Sequence, residues 1–322
     1  MDSGRAGEWP PERKKSKFNF MMKLFNGKTV ANKILKELKE AIAKEKKSPK
    51  LAVILVGDDE ASRLYVKLKK DAGKKVGIEV AEHKFSGQAR EDEIISYIER
   101  LNNDSDVDGI IVQLPLPAVL NTDKIIGAID PAKDVDGFHE ENRKLLEKGK
   151  ANFVPVMPQV ILTALGAALK NKFGDPAFAP SLYKTTDGHG KASAGKKKIL
   201  ALVNSEIFGQ TLKIVLAREG ASIDYLVRNT CVVFGAEKEM KETDVLISVC
   251  GCPQMIKGEM IKDNAILIDA GVTRYHDGKV MGDVDQKSVA GKAAFLTPVP
   301  GGLGPLTVAL LLRNVYLAAK KG

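Results

Sequence analysis

Short, predominantly apolar runs, over 51–56, 109–114, 199–203, 244–249 and 265–269, alternate with longer segments of helical period. This rhythm constrains the fold more than any other feature. A strand that is apolar at nearly every position buries both faces, which is the condition of a parallel sheet covered by helices on both sides. The spacing predicts helices over 62–76, 91–102, 159–170 and 207–218, and shorter strands over 79–83 and 222–227. The rhythm breaks in a Gly/Pro/Ser/Lys-rich stretch over 174–198, which reads as a loop or linker, and then restarts. The expected fold class is α/β: two α/β domains around a cleft, the second a Rossmann-type doubly wound parallel sheet. The expected boundaries are a disordered extension over 1–21, a first domain over 22–165 and a nucleotide-binding domain over 166–304. An apolar last helix, over 305–322, is expected to pack back on the first domain.

No apolar stretch approaches the roughly 18 to 20 residues that a membrane-spanning helix needs. The formal charge of +9 is spread along helical stretches and only 6% of residues are aromatic, which argues against nucleic acid and for solvated lysine faces. Such an excess of cations also favours polyanionic small molecules. The three cysteines, Cys231, Cys250 and Cys252, lack the paired spacing of a zinc site, so no metal is expected. Their odd number fits a reducing compartment, with Cys250 and Cys252 as buried or half-buried small residues. Met21 and Met22 stand just before the first organised segment and suggest that translation starts there.

Four segments carry chemistry. Behind the strand over 51–56 comes a turn and a helix on which Tyr65 and Lys69 lie four residues apart, sharing one face. Ser62 stands at the start of the same helix. Alone, Lys69 is equally a solvated lysine among Lys67, Lys70, Lys74 and Lys75. Next, Gln113 ends an apolar run ahead of Pro115 and Pro117; an amide there is costly to bury unless paired, so it marks a polar strand mouth or caps a turn. In Lys133-Asp134-Val135-Asp136-Gly137, one carboxylate is free to bind a donor-rich ring or metal while the other caps the turn at Gly137. Finally, the loop Pro298-Val299-Pro300-Gly301-Gly302-Leu303-Gly304-Pro305 opens into a helix; its glycines allow close backbone approach to a ligand, or it is a plain interdomain turn.

Taken in order, these segments resemble the bifunctional methylenetetrahydrofolate dehydrogenase/methenyltetrahydrofolate cyclohydrolase family. The family patterns Y-x-x-x-K, V-Q-L-P-L-P, K-D-V-D-G and P-V-P-G-G-x-G-P-x-T match residue by residue, and Gly282-Asp283-Val284 also fits. The resemblance implies Lys69 as general acid/base, Gln113 as the partner that tunes it, Tyr65 stacking on the folate, and Asp136 on the pterin donors. It further implies substrate contacts at Ser62, Pro300, Gly301 and Gly302. On the cofactor side it implies Asn204, Ser205, Gly209, Arg228, Gly251, Val272 and Thr307, a homodimer formed through the nucleotide-binding domain, and a cytoplasmic enzyme of one-carbon metabolism.

The cofactor segment departs from the family's G-R-S-x-x-V-G-x-P: Val203-Asn204-Ser205-Glu206-Ile207-Phe208-Gly209-Gln210-Thr211 keeps only the serine and the second glycine of its punctuating residues. No acidic residue follows the next strand to grip a ribose hydroxyl, whereas Arg228 there favours a 2′-phosphate, so NADP is expected over NAD. Pro155-Val156-Met157-Pro158 also lacks the hydroxyl of the family's P-C-T-P. The expected activity is oxidation of methylenetetrahydrofolate with NADP followed by hydrolysis of the methenyl product. The alternatives are cyclohydrolysis alone and a catalytically silent folate binder.

Overall fold

The computed structural model describes residues 22–169 and 197–321, apart from 152, 229, 234 and 276. The extension over 1–21 and most of the expected linker over 174–198 lie outside the described residues.

The first domain is a three-stranded parallel sheet in the order β3-β2-β4. Its elements run β1 (Lys23–Leu24), α1 (Gly27–Ile42), β2 (Lys50–Val56), α2 (Glu60–Val76), β3 (Glu79–Phe85), α3 (Glu91–Asn102) and β4 (Gly109–Val112). The helix α2 is held at both ends by local chemistry. The Asp59 side chain accepts from Ser62 N at 2.7 Å, and Gly77, at φ 92°, provides the left-handed exit. Beyond β4 an extended segment bridges in parallel between Ile110 and Asp134, which brings residues 133–136 alongside the sheet. Then come α4 (Thr122–Ile126), α5 (Glu140–Glu147) and α6 (Val156–Leu169), the last apolar on nearly every side and correspondingly buried.

The second domain contains β5 (Ile199–Val203), α7 (Glu206–Arg218), β6 (Asp224–Val227), α8 (Glu237–Glu242), β7 (Val245–Val249) and β8 (Ile266–Asp269). It closes with a hairpin of β9 (Thr273–Arg274) and β10 (Val280–Met281), then α9 (Gln286–Val289), β11 (Phe295–Leu296) and α10 (Gly304–Ala319). Its main sheet runs β1-β11-β8-β7-β5-β6, every pairing parallel. The chain leaves β5 for β6 on one side and then crosses to β7 on the other, so the topological switch point lies at the carboxyl ends of β5 and β7.

The two ends of the chain exchange places. Strand β1 pairs with β11 at the edge of the second sheet, while α10 packs on α1, α2 and α6. One continuous core therefore runs from Leu51, Val53 and Leu55 through α6 and α10 to Ala201 and Val203.

One expectation needs correction, that Cys252 is simply a small buried residue. Cys231 and Cys252 form a disulfide, leaving Cys250 as the free thiol. The reason is topological: β6 and β7 flank β5, so the loops that follow them meet although 21 residues separate the cysteines. Cys252 is buried and Cys250 half-buried, as read from the sequence.

Candidate active site

At the mouth of the first sheet, three elements converge on Lys69. The helix α2 presents Lys67, Lys70, Lys74 and Lys75 to solvent, but Lys69 points inward and is only 8% exposed. Its ammonium donates to Gln113 Oε1 at 2.5 Å. Gln113 is fixed in turn: its backbone N–H reaches Ile54 O on β2 at 2.8 Å, and its Nε2 donates to Leu114 O at 2.7 Å. Buried Ser62 donates to the same Leu114 carbonyl at 3.5 Å, tying the start of α2 to the loop after β4. The amide that is costly at a strand end is thus paired through both its oxygen and its nitrogen.

The two carboxylates of the segment beside β4 have separate tasks. Asp134 accepts from Gly137 N at 3.1 Å, His139 N at 2.8 Å and Asn142 Nδ2 at 3.0 Å, so it is the turn-capping acid. Gly137 takes φ +84° with its α-carbon face 2.9 Å from Pro155 when a Cβ is added, which no other residue type tolerates without strain. Asp136 is half-buried as a residue, with its carboxyl on the enclosed side. Burial, then the charge of Asp134, pushes that carboxyl up to about 6, against the pull of Lys69. Burial in turn lowers Lys69 from 10.5 to about 8, opposed by Asp136. Such a lysine can both take and give a proton near neutral pH.

Tyr65, one turn before Lys69, is half-buried; burial raises its phenol, and Arg274 of the second domain acts on it in the opposite sense. Pro300 and Gly301 are exposed, while Gly302 is buried and its carbonyl would lie 1.7 Å from a Cβ on Gly27. That contact seats the Pro/Gly loop on the start of α1.

Across the cleft, Asn204 and Ser205 follow β5 at the switch point. Ser205 caps α7, accepting from Phe208 N at 3.3 Å. Gly209 lies flush under the Tyr225 ring, 2.4 Å from it when a Cβ is added. After β7, Gly251 takes φ +72° with nothing within 4 Å of an added Cβ, leaving bare backbone facing open space. Arg228 ends β6 with its Nε buried and unpartnered. An arginine whose Nε has no protein partner, at a switch point with open backbone, fits the phosphates of a dinucleotide.

Two family models match the chain: tetrahydrofolate dehydrogenase/cyclohydrolase, catalytic domain, over residues 25–136, and its NAD(P)-binding domain over residues 181–322. The chain belongs to the tetrahydrofolate dehydrogenase/cyclohydrolase family. It is 36% identical over 308 residues to the bifunctional protein FolD of Pelobacter propionicus, covering 94% of this chain and 99% of that one. The FolD relative from Geotalea daltonii is 37% identical over 304 residues, 94% of this chain and all of its own length. Among solved structures, the Campylobacter jejuni FolD methylenetetrahydrofolate dehydrogenase/cyclohydrolase superposes with a TM-score of 0.77 at 33% identity, over 94% of this chain and 100% of that one. The Trypanosoma brucei enzyme, solved with NADP cofactor and inhibitor, does so with 0.78 at 26% identity, over 94% and 98%.

Within this tetrahydrofolate dehydrogenase/cyclohydrolase, the structure brings Lys69, Gln113, Asp136, Ser62 and Tyr65 together at one strand mouth. Asn204, Ser205, Gly251 and Arg228 gather at the other. Gly209 is a packing residue under Tyr225. Val272 is exposed, just before the β9–β10 hairpin. Thr307 is half-buried and donates back to Leu303 O at 3.2 Å within α10. One residue that the sequence reading passed over stands behind the site. Asn314, 1% exposed on apolar α10, donates to Val135 O at 2.9 Å and Val154 O at 3.4 Å, fixing the segment that carries Asp136. Its signal was available: an amide inside an apolar helix demands a partner. Among the described residues no group of His, Cys, Asp and Glu is arranged to hold a metal ion, and no helix is long and apolar enough to cross a membrane.

Proposed function

We propose that this enzyme oxidises 5,10-methylenetetrahydrofolate to the 5,10-methenyl form with NADP and hydrolyses that product to 10-formyltetrahydrofolate, with Lys69 as the proton carrier. The observation that carries this reading is the enclosed Lys69 ammonium, lowered to about 8, hydrogen-bonded to Gln113 and beside Asp136. In hydrolysis, neutral Lys69 takes a proton from the water that attacks the methenyl bridge carbon. The ammonium so formed returns a proton to the departing ring nitrogen as that C–N bond breaks, and the hydroxyl proton of the adduct leaves as the formyl carbonyl forms. Gln113 holds the amine in line throughout. Asp136, spared from capping by Asp134, accepts from the pterin donors, and Tyr65 stacks on the adjoining ring. Ser62, Pro300, Gly301 and Gly302 shape the substrate's path.

Bound nicotinamide supplies a hydride acceptor, and nothing else is asked of it. Asn204, Ser205, Gly251, Val272 and Thr307 would hold the dinucleotide, with Arg228 on its phosphate. The enzyme works in the cytoplasm as a homodimer joined through its nucleotide-binding domains.

Purified protein given methylenetetrahydrofolate with NADP, and separately methenyltetrahydrofolate alone, tests this spectroscopically. Reduced nicotinamide in the first and decay of the methenyl band in the second are expected. Decay without any reduced nicotinamide would leave only a cyclohydrolase; neither signal would refute the assignment.

A further inference from the structure

We propose that Asp283 is the positioning residue of the dinucleotide crevice, a buried carboxylate that sets the shape of the β7 exit loop before any cofactor arrives. The inference rests on the reading that the switch point holds a dinucleotide.

The loop after β7 is the wall of that crevice, and its bare backbone at Gly251 faces open space. Gly251 has open space where a side chain would stand, and Thr273 Oγ1 donates to its carbonyl at 2.9 Å, so the N–H side of this φ +72° turn needs its own support. Asp283 supplies it from behind. Fully buried, it accepts from Ser248 Oγ at 2.6 Å and Cys250 N at 2.8 Å through one oxygen, and from Cys252 N at 2.6 Å through the other. These three donors bracket Gly251 on both sides. Charge-assisted bonds of this kind are stronger than neutral ones, and three from one carboxylate fix both the position and the tilt of the loop.

Asp283 is itself held by a second buried acid. Asp269, at the end of β8, accepts from Gly271 N at 3.1 Å, Asp283 N at 3.1 Å and Val284 N at 2.9 Å. The packing is reciprocal. A Cβ on Gly271 would lie 2.1 Å from the Asp283 carboxyl, and one on Gly282 would lie 2.1 Å from that of Asp269. Each carboxylate lies flat against a glycine next to the other acid. The partners of both are backbone N–H groups and one hydroxyl, so both acids orient backbone rather than form an ion pair, and burial pushes Asp269 up to about 7. A loop ordered in advance spares the cofactor the entropy of ordering it.

Asp283 touches no reacting atom, so its loss must be read where a plain structural strut and a positioning residue differ. The bifunctional enzyme contains its own control, because methenyl hydrolysis uses the other side of the cleft and needs no dinucleotide. Asp283→Asn keeps the shape but turns an amide N–H₂ against one of three donors. In the full-length protein, calorimetric titration with NADP is expected to show Kd raised about tenfold or more, with KM for NADP rising in step. Methenyl hydrolysis measured without dinucleotide should keep its kcat and KM. Unchanged NADP binding, or hydrolysis falling in parallel with it, would overturn the proposal. Should Asp283→Asn fail to fold, Ser248→Ala removes one donor and leaves the carboxylate; a smaller rise in Kd, again with hydrolysis intact, supports the proposal, and an unchanged Kd refutes it. If the unaltered protein binds no dinucleotide at all, the parent reading falls and takes this one with it.

Discussion

Lys69 and Gln113 meet across 2.5 Å, joining the middle of α2 to the end of β4 over a separation of 44 residues. Both are committed by what lies behind them: Lys69 by the buried face of its helix, Gln113 by the carbonyls of Ile54 and Leu114. The amine therefore has one direction to point. The enclosed carboxyl of Asp136 acts on it electrostatically, and that charge is the brake on how far burial lowers it.

The pH dependence of hydrolysis follows. With the ammonium lowered to about 8, roughly a tenth of Lys69 is neutral at pH 7, far more than for a lysine near 10.5. Then kcat/KM for methenyl hydrolysis should rise with pH and level off above about 8. Because Asp136 raises Lys69, Asp136→Asn should move that inflection to lower pH even as it weakens substrate binding. A pH–rate profile measured with both proteins checks the sign; an inflection that stays or climbs contradicts the pairing.

Holding Lys69 ready costs stability. A folded-state value below the unfolded one means that the folded protein binds fewer protons between about pH 8 and 10.4, so stability rises with pH in that window and the cost is complete below it. The displacement from 10.5 to about 8 corresponds to about 3 kcal/mol. Lys69→Met should abolish hydrolysis yet raise the midpoint of thermal unfolding at pH 7, less so at pH 10. The gain is trimmed by the unpaired Gln113 oxygen, which costs about 1 kcal/mol. A lower midpoint at pH 7 would show that Lys69 stabilises the fold.

Much of this arrangement was legible because the chain advertises it in local terms. Continuous apolar runs located β2, β4, β5, β7 and β8, and a glutamine closing such a run marked the strand mouth. What stayed hidden depends on tertiary neighbours. The sequence offered one capping and one free carboxylate in this segment but could not say which of Asp134 and Asp136 caps; the donors that decide it, Gly137, His139 and Asn142, come from the turn and from α5. The Cys231–Cys252 bond depends on β6 and β7 flanking β5, an order that no spacing encodes. Strand β1 is two residues long and pairs with a strand near the other end of the chain. For Asn314 the need for a partner was legible, but the partners themselves, Val135 and Val154, are set by how α10 folds back on the first domain.

Asn314 gives a prediction on the folate side. Its Nδ2 serves Val135 O and Val154 O, the residues just before Asp136 and Pro155. Asn314→Leu leaves both carbonyls without that donor, at about 1–3 kcal/mol. It also loosens the segment that aims Asp136. With Asp136 less well placed, the inflection in the hydrolysis profile should move below about 8, whereas simple loss of stability leaves it in place. Asn314→Ser, which keeps a donor, should restore part of the effect. A lowered unfolding midpoint with an unmoved inflection would make Asn314 a purely structural residue.

Glu206 gives the opposite kind of prediction, a substitution that improves the enzyme. It occupies the first turn of α7, where backbone N–H groups and the helix dipole favour an anion, and its carboxylate is already there. The Tyr225 hydroxyl donates to it from β6, and Gln210 Nε2 donates to it at 3.1 Å. A fixed negative charge beside the crevice repels the dinucleotide phosphates that Arg228 attracts. Glu206→Gln keeps an acceptor for Tyr225 and removes the charge. KM for NADP should fall about two- to fivefold at low salt, the equivalent of about 0.5–1 kcal/mol, and the difference should shrink as salt screens it. NAD, with fewer charges, should gain less, and methenyl hydrolysis should not change. The helix should lose a little stability with its N-terminal acid, so a small drop in unfolding midpoint is expected alongside tighter NADP binding. An unchanged or higher KM for NADP would mean that the carboxylate, pinned to Tyr225, is turned away from the phosphates.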